Sequence, residues 1–358
     1  MLRKKQVFFF SLLVILLVLL TSGIYFGLGQ RNYEYSSEEF LMDTLVSIKA
    51  SGANPALLKE AVTGAFAEMR RLEQLTDRFP APGTNAFQIS DVCRINEAAG
   101  SAPVKVDQDV FAMLLLSRRY YELTQGTFDI TIGPVMDVWG FGKPEQTVPS
   151  SYDLQKALSL VNGGRLLLDE QEQTAFLQSP GMSVDLGAVA KGYAVEKAAR
   201  FLEEHGVERA LVNAGGNIRT IGKNKEGSAW KIGIQDPRNG AELVGVLSLE
   251  DESAVTSGDY NRFFTSQGVR YHHLISPQTG YPVNKNMSVT VVTHDGGQAD
   301  ILSTTLFLLD PEEALQLAEE LEETEAFLVT ADQRILVTSG LRGKVEVKQG
   351  DDYRYDKS

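Results

Sequence analysis

Residues 326–338 read AFLVTADQRILVT and contain two short runs rich in apolar residues, 326–330 and 334–338, on either side of three residues. This spacing is typical of an antiparallel β-hairpin. Four similar runs precede it at 210–213, 231–235, 244–249 and 289–293. Because helical segments are inserted among these runs, we predict an α+β fold, with mixed or antiparallel sheets and packed helices, and not a doubly wound parallel sheet.

Five helices are predicted from apolar residues at helical spacing. The first follows Asn54 and Pro55, which are typical of a helix cap and a first-turn proline. The other four are predicted at 107–123, at 187–204, from about Ala299, and after Pro311.

The composition limits the kinds of function. The chain has 358 residues, a formal charge of −13 and a pI near 4.9, which argue against a nucleic-acid-binding protein. Its single cysteine, Cys93, excludes an internal disulfide and a cysteine-rich metal site. We expect Cys93 to be a small core residue.

The N-terminus predicts a membrane anchor. Three basic residues, Arg3, Lys4 and Lys5, precede an uncharged apolar run at 7–29, which is long enough to cross a bilayer. The basic residues favour a single-pass protein of the cell membrane with its body on the extracytoplasmic side. A cleaved signal peptide, which has a shorter apolar region, is the alternative.

The remaining chain divides without an obvious internal linker. We predict an anchor at 1–30, a polar tether at 31–39, one catalytic domain at 40–347 and a polar tail at 348–358. No repeat or low-complexity block interrupts the domain.

Several segments contain more Gly, Asp, Thr and His than packing requires. They are GTFDITIGP at 126–134, VDLGAVAKGY at 184–193, NAGGNI at 213–218, TSGDY at 256–260, YHHLISPQTG at 271–280 and ADILSTTL at 299–306. Glycine lets backbone N–H groups approach a phosphate closely, and a helix N-terminus adds a favourable dipole. Asp185 leads into the third predicted helix, where Lys191 can supply charge to a phosphate. Alternatively, Asp185 only caps this helix and Lys191 is solvated.

Asp300 and Thr304 lie four residues apart, so both project from one face of a helix, with Ser303 beside them. A carboxylate and hydroxyls are hard oxygen ligands that suit Mg²⁺ better than zinc. Alternatively, Asp300 is a helix N-cap and Thr304 bonds to its own turn.

Only four histidines occur. His205 and His294 are expected in surface loops. His272 and His273 are adjacent and should point apart, which does not favour a zinc site. Either could act as a general base or phosphate partner, or could be a hydrogen-bonded histidine on a strand.

Together these segments resemble the ApbE family of FAD:protein FMN transferases over about 40–347. The resemblance rests on the runs 185–193, 256–260 and 273–280 and on residues 300–304. It implies that FAD binds with its pyrophosphate beside Mg²⁺. A threonine hydroxyl of an exported flavoprotein then attacks the FMN-side phosphorus, AMP leaves, and FMN stays linked as a phosphoester.

The resemblance also implies site residues. His273 matches a histidine that assists the threonine nucleophile. The metal positions are Ala188, through its carbonyl, with Asp300, Ser303 and Thr304. The FAD-contacting positions are Met42, Phe79, Thr127, Phe128, Asp129, Asp185, Lys191 and Leu274, and we expect Thr256, Ser257 and Gly258 to cradle phosphate.

Two positions depart from the family pattern. Asp43 stands where the family usually has glycine between Met42 and Thr44, and Phe79 stands where many members have tyrosine. Stacking on a flavin survives the second change, but the hydroxyl's hydrogen bond does not.

Two other functions remain open from the sequence. An FAD pyrophosphatase on the same scaffold would use water in place of threonine and release FMN and AMP. A membrane-tethered flavin-binding protein without enzymatic activity would not need a metal at the pyrophosphate.

Overall fold

The computed structural model describes residues 32–80, 86–143, 145–348 and 353–356. Its helices in this part of the chain are α1 (Pro55–Thr76), α2 (Ala86–Ile89), α3 (Asp91–Glu97), α4 (Gln108–Leu123), α5 (Gly133–Trp139), α6 (Ser151–Leu158), α7 (Ala190–Glu204), α8 (Gly296–Leu308) and α9 (Pro311–Glu320), with 3₁₀ turns at Gly163–Arg165 and Ser339–Leu341. Its strands are β1 (Tyr33–Leu41), β2 (Thr44–Gly52), β3 (Val104–Lys105), β4 (Leu166–Asp169), β5 (Thr174–Leu177), β6 (Ala210–Ala214), β7 (Asn217–Ile221), β8 (Trp230–Gln235), β9 (Leu243–Leu249), β10 (Ser253–Gly258), β11 (Phe263–Ser266), β12 (Val269–His272), β13 (Asn286–Thr293), β14 (Glu325–Thr330), β15 (Arg334–Val337), β16 (Val345–Val347) and β17 (Arg354–Tyr355).

The predicted α+β fold with mixed sheets is confirmed. A nine-stranded sheet has the order β1-β2-β6-β7-β10-β13-β14-β15-β17, antiparallel except for the β15–β17 pair. Eight of its strands form two four-stranded units, β1-β2-β6-β7 and β10-β13-β14-β15, and β17 extends the sheet beside β15. Each unit carries helices between its second and third strands. Three small sheets, β3-β5-β4, β8-β9-β16 and β11-β12, pack around it.

The central strands are buried on both faces. On β10 and β13, Val255 and Val289 pack against helix α8, whereas Ala254 and Val292 pack in the cluster of the β8–β9 sheet. Side chains alternate between the two faces of a strand. All eight residues of β13 are consequently buried, which explains why its sequence is almost continuously apolar or small.

The predicted helices are confirmed, although two of them begin elsewhere. Asn54 caps α1, because its side chain accepts hydrogen bonds from the next two non-proline amides. Helix α7 begins at Ala190 and not at 187, because residues 187–189 form a turn on the Leu186 carbonyl. Helix α8 begins at Gly296, three residues before the predicted start, because Asp295 caps it by accepting from the Gln298 amide.

The prediction that residues 31–39 are an unstructured tether is wrong. Residues 33–39 belong instead to β1, which pairs with β2 along its whole length. Its polar residues mislead because β1 is an edge strand, whose outward side chains, such as Glu34 and Glu38, face solvent. The predicted tail at 348–358 also contains structure, since Arg354 and Tyr355 pair with β15.

The predicted anchor at 1–30 lies outside the described residues. Among the helices that the structure does describe, none combines the length and the apolar character needed to cross a bilayer. The proposed boundaries of the catalytic domain, 40 and 347, stay a prediction.

Candidate active site

Helices α7 and α8 cross at two glycines. A Cβ atom on Gly192 would lie 2.1 Å from the Gly296 carbonyl oxygen, and one on Gly296 would lie 2.5 Å from the Gly192 carbonyl oxygen. Neither position therefore tolerates a side chain without moving a helix. The close approach lets a side chain of α8 reach the first turn of α7.

Asp300 uses this approach. The residue is 4% exposed, and its Oδ2 accepts a hydrogen bond of 2.8 Å from the Gly192 amide. Its Oδ1 makes no hydrogen bond with the described residues. Burial raises the pKa of the carboxyl, although the charge of Lys191 and the Gly192 amide act in the opposite direction. Because Asp295 is the N-cap of α8, the alternative that Asp300 caps this helix is wrong.

The backbone around Ala188 offers a further oxygen. Ala188 precedes α7, whose hydrogen bonds begin with the Tyr193 amide and the Val189 carbonyl at 3.0 Å. The Gly192 amide is one of the first-turn amides that have no acceptor within the helix, and Asp300 accepts from it. The Ala188 carbonyl, predicted as a metal ligand, accepts no hydrogen bond from the described residues.

Three hydroxyls lie beside Asp300. Ser257 Oγ on β10 lies 2.9 Å from Ser303 Oγ and 3.3 Å from Thr304 Oγ1, both on α8. Ser303 also donates to the Asp300 carbonyl at 2.9 Å. Thr304 makes its hydrogen bond with Ser257, so the alternative that it bonds to its own turn is not observed.

The structure separates Thr256 from this cluster. Its hydroxyl lies 2.8 Å from Thr290 Oγ1, on the opposite face of the sheet. Of the three residues predicted to cradle phosphate, only Ser257 directs its side chain to the hydroxyls of Ser303 and Thr304. Gly258 ends β10, where a Cβ would lie 2.5 Å from the ring of Tyr260.

Lys191 and Asp185 lie at the start of α7. The Lys191 ammonium is 3.4 Å from the Gly187 carbonyl oxygen, and its charge acts on both Asp300 and His273. Asp185 does not cap α7, because its Oδ1 accepts from the Gly187 amide at 2.9 Å and the cap position is Val189. The alternative that Asp185 caps the helix is therefore wrong.

The two adjacent histidines have different surroundings. His272 is fully buried and bonds to Asn284, whereas His273 is half-buried, with Nδ1 3.2 Å from the Arg262 carbonyl oxygen. Burial, followed by the positive charges of Arg262 and Lys191, lowers the pKa of His273 to about 3. The ring is therefore neutral at pH 7. Because a carbonyl only accepts, we assign the proton to Nδ1 and the lone pair to Nε2.

The other two histidines and Cys93 lie where we predicted. His205 and His294 are exposed, and Cys93 is buried. The Cys93 thiol donates to the backbone carbonyls of Asp77 and Arg78, at 3.3 and 3.7 Å, and so packs under the end of α1.

Arg78 is a site residue that sequence reasoning missed. Its guanidinium is almost fully buried and bonds to Asp185 at 3.1 Å, to Asp137 at 2.7 Å and to the Gly133 carbonyl at 3.0 Å. It thereby joins the end of α1 to the loop before α7. The only local signal is a cation beside the predicted flavin contact, Phe79.

Phe79 is an exposed aromatic residue, with 43% of its surface accessible. The Arg78 guanidinium lies 5.1 Å from its ring centre, and the Lys143 ammonium lies 5.6 Å from it. One of these cations or a flat ligand can stack on the ring.

The 127–129 loop presents few side chains to a ligand. Phe128 is buried in the core, and both carboxylate oxygens of Asp129 are occupied by Thr131 and by the Gly163 amide. Burial raises the pKa of Asp129. Of the three predicted FAD contacts in this loop, only Thr127 has a half-exposed side chain, so Asp129 serves to hold the loop.

Met42 and Asp43 form the two-residue turn between β1 and β2. Their φ angles are +52° and +59°, the left-handed conformation that such hairpins require. Aspartate tolerates this conformation better than most residues, which explains how it can replace the usual glycine. Asp43 also pairs with Arg262 at 3.4 Å, while Leu274, beyond His273, is buried in the core.

These contacts connect the predicted residues in two series that meet at Lys191. One series runs from the Met42–Asp43 turn through Arg262 to His273. The other runs from Phe79 and Arg78 through Asp185 and Gly187. Thr256, Phe128 and Asp129 do not direct side-chain oxygens or rings into this arrangement. A cleft of about 770 Å³ between α4 and β4 contains none of the predicted residues.

The donor set beside Asp300 fits Mg²⁺. It offers one carboxylate oxygen, the Ala188 carbonyl and neutral hydroxyls, all of them hard oxygen donors. No group of three or more His, Cys, Asp or Glu side chains in the described residues is placed to hold a metal. Mg²⁺ is commonly bound by one or two carboxylates together with substrate phosphates, so a second carboxylate is not needed.

Comparison with known proteins identifies the family. Residues 42–328 match the ApbE family model. The FAD:protein FMN transferase of Klebsiella pneumoniae is 34% identical over 313 residues, covering 87% of this chain and 94% of that protein. That of Treponema pallidum is 32% identical over 329 residues, covering 88% and 89%. The crystal structure of the ApbE protein from Thermotoga maritima superposes with a TM-score of 0.79 at 30% identity, covering 87% of this chain and 99% of that one.

The match spans most of the described chain, including Asp300, His273 and Lys191. The chain belongs to the ApbE family.

Proposed function

We propose that the protein transfers the FMN part of FAD to a threonine hydroxyl of an acceptor flavoprotein. The threonine oxygen bonds to the FMN-side phosphorus, the bond from this phosphorus to the bridging oxygen breaks, and AMP leaves with that oxygen. The hydroxyl proton is lost, and FMN remains as a phosphoester. The curated relatives named FAD:protein FMN transferase support this assignment.

The observation that carries the proposal is the free oxygen of Asp300. A buried carboxylate with one uncommitted oxygen is costly unless a cation or proton joins it. Together with Ser303, Thr304 and the Ala188 carbonyl it would hold Mg²⁺. Such an ion supplies positive charge that neutralises the pyrophosphate.

Lys191 and the start of α7 would bind the pyrophosphate. The helix N-terminus attracts an anion, and the Lys191 ammonium adds a point charge close to Asp300. Phe79 would stack on the flavin ring at the other end of the series of contacts.

His273 would take the proton of the threonine hydroxyl. Its Nε2 carries the lone pair and is free to accept a hydrogen bond, because Nδ1 faces the Arg262 carbonyl. In the ligand-free protein the pKa of His273 is low, which would make the ring a weak base. A bound pyrophosphate would offset the charges of Arg262 and Lys191 and raise that pKa.

We also propose that residues 1–30 anchor the protein as a single membrane-spanning segment, with the catalytic domain outside the cytoplasm. The basic residues before the apolar run support this orientation. The acceptors would then be exported flavoproteins with an accessible threonine.

One experiment distinguishes the candidate functions. The protein is incubated with FAD and Mg²⁺, with and without an exported flavoprotein that carries a Ser/Thr-rich acceptor segment. AMP release and the mass of the acceptor are measured. We expect AMP to appear with the acceptor, together with a mass gain equal to FMN. AMP and free FMN without acceptor modification would indicate a pyrophosphatase, and no AMP at all would leave only flavin binding.

A further inference from the structure

The crossing of α7 and α8 is reciprocal. Each helix has a glycine at the contact and an acidic residue four positions later: Gly192 and Glu196 on α7, Gly296 and Asp300 on α8. Asp300 accepts from the Gly192 amide at 2.8 Å, and Glu196 Oε2 accepts from the Gly296 amide at 3.2 Å. Each carboxylate therefore provides a hydrogen-bond acceptor for one amide in the first turn of the other helix, which has no acceptor within its own helix.

The two carboxylates differ in their remaining partners. Glu196 is 5% exposed and pairs with Arg219 at 3.1 Å and with Arg200 at 3.0 Å. Its charge is thus compensated within the protein. Asp300 pairs with no arginine of the described residues and keeps one oxygen uncommitted, so of these two carboxylates only Asp300 is suited to hold a cation.

We infer that Glu196 is a positioning residue that holds Asp300 at the metal site. The Gly296 amide belongs to the first turn of α8, and Asp300 lies one turn further along the same helix. By accepting from this amide, Glu196 fixes that turn against α7. The inference rests on the proposed function, in which Asp300 binds the metal.

The test measures metal binding in the absence of turnover. Mn²⁺ binding to the full chain is followed by electron paramagnetic resonance with FAD present and acceptor absent. Groups that hold a metal ligand in place usually change metal affinity 10- to 100-fold when removed, so we expect Glu196→Ala to raise the Kd for Mn²⁺ by about tenfold. Glu196→Gln retains an acceptor oxygen for the Gly296 amide and should stay close to the wild type.

Arg219→Ala is the matched control. It breaks the same buried ion pair and lowers the melting temperature, but it leaves Glu196 free to accept from the Gly296 amide. We expect it to change the Kd less than about twofold. If Glu196→Ala is too unstable, Glu196→Asp keeps a charge beside Arg219 but withdraws it from the amide, and should also raise the Kd.

The outcomes separate this inference from the proposed function. Equal changes of Kd in the Glu196→Ala and Arg219→Ala proteins would reduce Glu196 to a structural role and overturn the inference. The same follows if the Glu196 variants bind Mn²⁺ normally while Asp300→Asn does not. If the wild type binds no Mn²⁺, or Asp300→Asn binds it as tightly, the proposed metal site fails and the inference fails with it.

Discussion

Replacing Asp300 by Asn tests the proposed metal site with little change of side-chain shape. Asparagine keeps an oxygen that can accept from the Gly192 amide but brings no charge. Because burial raises the pKa of Asp300, the metal-free fold is favoured when this group is protonated. That stability is present below the unfolded pKa and is lost as the pH rises through the folded pKa. The neutral variant should therefore melt at or above the wild-type temperature at pH 7.5 in EDTA.

The effect of Mg²⁺ can be given a size. At 100 times its Kd, a ligand that binds only the folded state stabilises it by about 2.7 kcal/mol. An unfolding entropy of about 2.1 cal/mol/K per residue gives roughly 0.75 kcal/mol/K for 358 residues. Mg²⁺ should then raise the wild-type melting temperature by about 4 °C and that of Asp300→Asn by less than about 1 °C. A loss of about 3 kcal/mol of charge stabilisation should lower the transfer rate roughly a hundredfold.

Differential scanning fluorimetry and an assay of AMP release measure the two effects. Asp295→Asn is the control, because it makes the same chemical change in the same helix at a cap position where asparagine serves as well. It should leave both the Mg²⁺ shift and the rate unchanged. The reasoning is refuted if Asp300→Asn retains the wild-type Mg²⁺ shift and the wild-type rate at limiting Mg²⁺.

Four further predictions follow from the site and the chain ends. Ser257→Ala should raise the Mg²⁺ concentration needed for half-maximal rate about fivefold. Thr256→Ala, on the other face of the sheet, should leave this concentration unchanged. Equal effects of the two substitutions in a Mg²⁺ titration would contradict the proposed place of Ser257 beside the metal. His273→Ala should lower kcat roughly a hundredfold but change the fluorescence-derived Kd for FAD less than about twofold, and equal losses would make it a binding residue. A chain lacking residues 1–31 should remain soluble and bind FAD, because β1 begins at Tyr33, so its aggregation on size-exclusion chromatography would count against a simple anchor. A reporter fused after Ser358 should work only outside the cytoplasm, and cytoplasmic activity would reverse the orientation.

Helices and strands could be predicted from the sequence where residues close together in the chain determine them. Helix α1 was predicted because the Asn54 cap joins residues only two and three positions apart, and its apolar stripe repeats within one segment. Strands β13, β14 and β15 were predicted because both of their faces are buried, which produces short apolar runs. Strand β8 was predicted although its residues alternate between buried and exposed positions. Strand β1 was missed because its outward side chains are polar and only its pairing with β2 makes it a strand.

The site was harder to predict because its contacts are non-local. Their four-residue spacing placed Asp300 and Thr304 on one helical face. The amide that donates a hydrogen bond to Asp300, however, lies 108 residues away along the chain. Because side chains alternate along a strand, Thr256 and Ser257 must lie on opposite faces of the sheet. The sequence does not say which of these faces packs against α8. Arg78 carries no motif, so its contacts with Asp185 and Asp137 appear only in the fold.

The glycine crossing explains how one carboxylate would serve the proposed metal site. Without side chains at Gly192 and Gly296, α8 comes close enough for Asp300 to accept from the Gly192 amide, which has no acceptor within its own helix. This hydrogen bond fixes one carboxylate oxygen and leaves the other for a cation. The Ala188 carbonyl, which precedes the helix, would supply a second oxygen donor without a second buried negative charge, which would be costly in the ligand-free protein. The charge that a dication still needs would come from the pyrophosphate of the proposed substrate, and this would tie metal binding to the molecule on which the metal acts.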